Sequence, residues 1–149
     1  MSNREPESAP PAIDARELSR VLRALVPGAT VLSTPAELAP YECDGLSAYR
    51  QRPLAVVIPD TIEAVQATLR YCSAHGVPVV ARGAGTGLSG GALPHAGGVL
   101  LVMSRFDRIL SIDPVACTAR LQPGVRNLAI SEAAAPHGLY YAPDPSSQI

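Results

Sequence analysis

A chain of 149 residues, 47% hydrophobic and 17% charged, is long enough for a real core and too apolar for wholesale disorder. Its formal net charge of −1, with no basic block, argues against a nucleic-acid surface, and no apolar run reaches the roughly 18 residues of a membrane span. Cys43, Cys72 and Cys117 are odd in number, widely separated and without a C-x-x-C pair. They read as reduced thiols, and with no apolar signal segment at the N-terminus a soluble, cytoplasmic protein is expected.

Residues 1–13, with Pro6, Pro10 and Pro11 among polar neighbours, read as a flexible tail. From Asp14 the positions Leu18, Val21, Leu22 and Leu25 recur at helical spacing until Pro27-Gly28 stops the segment. Residues 29–32 suit a short strand, Thr34-Pro35-Ala36-Glu37 opens a brief capped helix ending near Tyr41, and the polar residues 42–53, with Gly45, suit a loop. Residues 54–58 are an unbroken apolar run, the mark of a strand buried on both faces. Asp60 is placed to cap the next helix, with Glu63 three residues on. Ile62, Val65, Leu69 and Cys72 share one face of that helix, and His75-Gly76 closes it. Residues 77–81 supply the next strand, completing a β-α-β unit with parallel strands.

Seven of the 12 glycines fall within residues 83–98, directly after that strand. In Arg82-Gly-Ala-Gly-Thr-Gly-Leu-Ser-Gly-Gly91 side chains are almost absent, so successive backbone amides can form a concave nest for an anion such as phosphate. Arg82 adds a positive charge at its mouth. A Walker loop fails, because Gly91 and Ala92 stand where Lys and Ser/Thr must follow the Gly85–Gly90 interval. A Rossmann fingerprint fails as well: Leu88 takes the third glycine position, and further glycines with Pro94 preclude a helix. Residues 99–103 form a strand, 109–113 and 117–122 an antiparallel hairpin, and 126–135 a helix closed by His137-Gly138. The end, from Tyr140, is a loop. One of Tyr140 and Tyr141 is expected to pack in the core.

The glycine run resembles the pyrophosphate loop of FAD-linked oxidases of the PCMH (vanillyl-alcohol-oxidase-like) type, and within them the glycolate oxidase and D-lactate dehydrogenase branch. The resemblance covers residues 53–149 and includes Pro123-Gly124-Val125 and Pro143-Asp-Pro-Ser-Ser147, in the family's order and separations. It implies an α+β fold, with a small parallel β-α-β lobe and an antiparallel portion, incomplete here. Residues 14–52 would form an N-terminal helical segment and loop, and 53–149 the FAD-binding domain, truncated at its C-terminus. The resemblance also implies cofactor contacts at Arg82, Gly83, Ala84, Gly85, Thr86, Gly87, Ser89, Gly90, Pro143, Asp144, Ser146 and Ser147. Some relatives tether flavin through a histidine in this loop. Thr86 stands at that position, so FAD is expected to bind non-covalently.

His75 and His137 sit in last turns of helices, where a cation suits the dipole, and His95 has no partner at metal-ligand spacing. No metal is expected. The resemblance implies oxidation of a small 2-hydroxy acid, such as glycolate or D-lactate, to the 2-keto acid, with an electron acceptor or further oxidase subunits as partners. In that family the substrate-binding and proton-accepting residues lie in a later domain. The chain stops at Ile149, so it reads as the front of an FAD-binding domain, with no catalytic residue assigned and no activity expected of it alone. The alternative is a non-catalytic remnant or module that holds a nucleotide diphosphate without redox chemistry.

Overall fold

The computed structural model describes residues 13–143. Helix α1 (Ala15–Leu25) begins where the Asp14 carboxylate accepts from the Glu17 amide, satisfying one of the unpaired donors of the first turn. Strand β1 (Thr30–Leu32) follows, then the one-turn α2 (Pro35–Leu38), which runs into a 3₁₀ turn at Ala39–Tyr41. A reciprocal capping box starts α2: Thr34 Oγ1 accepts from the Glu37 amide, and the Glu37 carboxylate accepts from the Thr34 amide. These donors hold the Glu37 carboxyl below its ordinary pKa, first through the Thr34 amide, then the Ser33 amide and the Thr34 hydroxyl.

Strands β2 (Ala55–Ile58), β3 (Val79–Arg82) and β4 (Val99–Val102) join β1 in a four-stranded sheet of order β1-β2-β4-β3. β1 pairs antiparallel with β2, while β4 is parallel to both its neighbours. The β-α-β unit expected from the sequence is present, with β2 and β3 running in the same direction. The two do not touch, because β4 lies between them, with Leu100 opposite both Val56 and Val80. All four residues of β4 are buried. A strand with no polar position is most stable at the centre of a sheet, where both faces are covered.

On one face, Ala55, Val57, Val99 and Leu101 pack against Leu18 and Leu22 of α1 and Ala64 and Cys72 of α3 (Ile62–Ala74). On the other, Val56, Leu100 and Val102 pack against Leu38 of α2, with Tyr41 at the margin. Two expectations for α3 change. Its N-cap is Thr61, whose hydroxyl accepts from the Ala64 amide, rather than Asp60. Its buried positions are Ala64, Thr68 and Cys72, whereas Ile62 and Leu69 are exposed. Small side chains let the helix approach the sheet closely, and the buried Thr68 hydroxyl offsets its desolvation by donating to the Ala64 carbonyl at 2.8 Å. Burial pushes the Cys72 thiol up to about 11.

Strands β5 (Ile109–Asp113) and β6 (Thr118–Leu121) form a separate antiparallel hairpin, followed by α4 (Asn127–Ala134) and a 3₁₀ turn at Ala135–His137. Gly138, at φ +70°, closes this turn. The core placement expected for a tyrosine is overturned: Tyr140 and Tyr141 are 77% and 39% exposed, lying over a shallow apolar hollow of about 200 Å³ between the hairpin and α4. A phenol keeps its hydroxyl hydrated there without needing a buried partner. Among the described residues no helix is long and apolar enough to cross a membrane, and no group of three His, Cys, Asp or Glu could hold a metal. Cys43, Cys72 and Cys117 are free thiols.

Candidate FAD-binding site

A parallel pair needs a long crossover, normally a helix. Between β3 and β4 that crossover is the glycine-rich segment 83–98, which contains no helix. It leaves the carboxyl end of β3, the end at which α/β sheets usually present their ligand sites. Met103 N donates to Arg82 O at 2.8 Å, so the ends of β3 and β4 leave the sheet together. After Met103 the chain turns at Phe106, whose carbonyl accepts from Gly124 N at 2.8 Å. Thus the Pro123-Gly124 corner, far along the sequence, is docked against the segments that leave β3 and β4.

Between these pieces lies an open cleft of about 370 Å³. It is lined by Gly83, Ala84 and Thr86 of the glycine loop, by Ser104 and Asp107, and by residues 123–127. The first turn of α4 opens onto it, and the Arg126 cap supplies no side-chain acceptor to the amides of that turn. A helix N-terminus carries partial positive charge, as does a row of loop amides. Arg126 adds a full one. The cleft is therefore lined by backbone donors, one guanidinium and one carboxyl group, that of Asp107.

Two glycines of the loop take left-handed conformations. Gly85 lies at φ +76°, a left-handed conformation that penalises any side chain, and Gly90 at φ +73°. Leu88, at the apex, is 67% exposed, and Ser89 is exposed beside it. Arg82 is turned inward: Nη1 donates to Cys43 O at 2.8 Å, Nη2 to Ala84 O at 3.4 Å, and its Cζ lies 5.7 Å from the Tyr41 ring centre. It does not line the cleft. Pro143 is an exposed coil residue, and Asp144, Ser146 and Ser147 lie outside the described residues. His95 is used locally, its Nδ1 accepting from Gly97 N at 3.0 Å, and His75 stacks on Tyr71 at 4.1 Å.

Sequence reasoning missed Ser104, Asp107, Arg126 and Asn127. The Pro-Gly corner immediately before a helix signalled the last two, since that pattern presents a helix N-terminus. Nothing local marks Ser104 and Asp107, which reach the cleft only because β4 ends beside β3.

A mixed α+β fold, with a glycine-loop crossover facing a helix N-terminus across a polar cleft, defines a module built to hold an extended phosphate-bearing ligand. Residues 53–149 match the family of the FAD binding domain, and the chain belongs to that family. FAD is its cofactor. The chain is 63% identical over 143 residues to the glycolate oxidase subunit GlcD of Escherichia coli (strain K12), covering 96% of this chain and 29% of that protein. It is 37% identical over 131 residues to the D-2-hydroxyglutarate dehydrogenase of Xanthomonas citri pv. viticola, covering 88% and 27%. Among solved structures, p-cresol methylhydroxylase with substrate bound superposes with a TM-score of 0.71 at 27% identity, over 85% of this chain and 25% of that one. The chain thus spans under a third of the length of these relatives.

Proposed function

We propose that this chain is the cofactor-holding part of an FAD-dependent oxidoreductase that converts a 2-hydroxy acid of the glycolate or D-lactate type to the 2-keto acid. The observation that carries the reading is the 63% identity to a glycolate oxidase subunit across 96% of the chain, including the loop and the facing corner. The backbone amides of Gly83, Ala84, Gly85 and Gly87 would hold the pyrophosphate, with the Thr86 hydroxyl donating to a phosphate oxygen and Ser89 and Gly90 completing the turn. Asp107 suits a hydroxyl or amino donor, because a carboxylate beside phosphate would repel it. Pro143, Asp144, Ser146 and Ser147 belong to this site in the same proposal.

When bound, FAD supplies the hydride acceptor, and the protein supplies position, electrostatics and shelter from water. With Thr86 in place of a tethering histidine, FAD binds non-covalently. No residue of this chain is assigned as the base that takes the hydroxyl proton. Three free thiols fit a reducing compartment, the cytoplasm, and the relative's name as a subunit fits assembly with further oxidase subunits.

The test is spectroscopic. The complete gene product should purify with a flavin absorbance that bleaches on anaerobic addition of glycolate, D-lactate or D-2-hydroxyglutarate, and should reduce a dye with at least one of them. A colourless protein with no affinity for FAD, or a yellow one bleached by none of these acids, would refute the proposal.

A further inference from the structure

The glycine loop is not shaped by its own residues alone. Its outer side rests on the polar segment that follows the α2 turn and precedes the family match. That segment is closed on itself: Gln51 N donates to Glu42 O at 2.7 Å, and Arg52 Nε donates to the Glu42 carboxylate at 2.6 Å. From this closed segment, three consecutive residues reach the loop. The Cys43 carbonyl takes the Arg82 guanidinium. Asp44, only 5% exposed, accepts from Leu46 N at 2.9 Å through Oδ1 and from Ala92 N at 3.4 Å through Oδ2, bridging the two loops. Gly45 lies so close that an added Cβ would fall 2.5 Å from Thr86 O and 2.9 Å from Gly87 O, both rigid backbone atoms.

Burying a carboxylate is costly unless hydrogen bonds repay it, and Asp44 spends its two oxygens on loop amides. Arg82 likewise spends its donors on carbonyls of the two loops, and an added Cβ at Gly85 would meet its guanidinium at 2.0–2.3 Å. We infer that Cys43, Asp44 and Gly45 are positioning residues that set the FAD-binding shape of the glycine loop. In the same scheme Arg82 is the tie between them and the loop, and not a counter-charge to phosphate. The inference rests on the reading of this loop as the FAD pyrophosphate site.

The complete gene product, stripped of flavin, is titrated with FAD at low and at high salt, and amide hydrogen exchange across residues 83–92 is followed without FAD. Gly45→Ala, which alters no charge and lines no part of the cleft, is expected to raise the FAD Kd about tenfold or more. Exchange at 83–92 should quicken while the melting temperature of the FAD-free protein holds; a merely structural role would lower that temperature instead. Asp44→Asn keeps one acceptor and turns an amide donor toward the other N–H. It gives a smaller effect of the same kind, and carries the test if Gly45→Ala does not fold. Arg82→Ala weakens FAD by the same factor at both salt concentrations, since a tie is not screened as an exposed charge is.

Parental affinity and parental exchange in Gly45→Ala and Asp44→Asn overturn the inference, as does an Arg82→Ala loss that shrinks at high salt. If Gly85→Val loses FAD while the Gly45 and Asp44 variants keep it, the site stands and only the inference falls. A parent protein that takes up no FAD overturns both, and does so before any variant is made.

Discussion

Gly85→Ala is the sharpest probe of the loop. A residue with a side chain at φ +76° costs about 1–2 kcal/mol relative to glycine. The new Cβ would also lie 2.0 Å from Arg82 Nη2, so the guanidinium must move and forfeit its hydrogen bond to Cys43 O. A hydrogen bond to a charged group contributes about 1.5–3 kcal/mol, so the two effects together reach about 2.5–5 kcal/mol. Ala84 and Thr86 are exposed, which lets the FAD-free loop relax, and the cost then appears when FAD imposes the native shape. At about 1.4 kcal/mol per factor of ten, the FAD Kd should rise by roughly 60-fold to 4,000-fold. The assay is quenching of flavin fluorescence as FAD is added to the flavin-stripped complete gene product, with circular dichroism to verify the fold. Gly28→Ala is the control, because its Cβ would meet only the Asp60 carboxylate at an ordinary 3.5 Å. A folded Gly85→Ala protein whose Kd stays within about threefold of the parent would refute the reasoning.

Leu22→Ala, at a position with no exposed surface, should lower stability by about 2–5 kcal/mol in denaturant titration without altering the loop. Thiol labelling at neutral pH should modify exposed Cys117 readily and leave Cys72, raised to about 11 by burial, untouched until the protein unfolds. Glu37 has its folded pKa depressed, so its contribution is present above the unfolded-state pKa and disappears as pH falls through the folded one. Glu37→Gln should therefore lower the melting temperature at neutral pH, and the difference from the parent should fade in acid.

How far the sequence speaks depends on the range of the interaction. Strands β2 and β4 are legible because their residues are apolar without interruption, and the Thr34–Glu37 box because its partners lie three residues apart. The glycine loop is legible because seven glycines crowd into residues 83–98, directly after a strand. Strand order is not: nothing in residues 79–82 says that β3 meets β4 and leaves β2 alone. The α3 face misleads because Ile62 and Leu69 are larger and more apolar than Ala64 and Thr68, yet close approach to a sheet favours small side chains. The partner of Arg82 is equally out of the sequence's reach, because the Cys43 carbonyl to which it donates is 39 residues away.

The order β1-β2-β4-β3 also bears on how the protein is made. The sheet's central strand is the last of its four to be synthesised, so β2 and β3 have no ladder partner in common until residue 102 has left the ribosome. Until then only the β1–β2 pair and the helices can form, and the exposed edge of β2 must wait. The glycine-rich segment proposed to hold FAD is also the tether whose closure inserts β4. Substitutions that stiffen or lengthen residues 83–98 should then slow folding as well as weaken binding, so that yield from cells and affinity for FAD fall together.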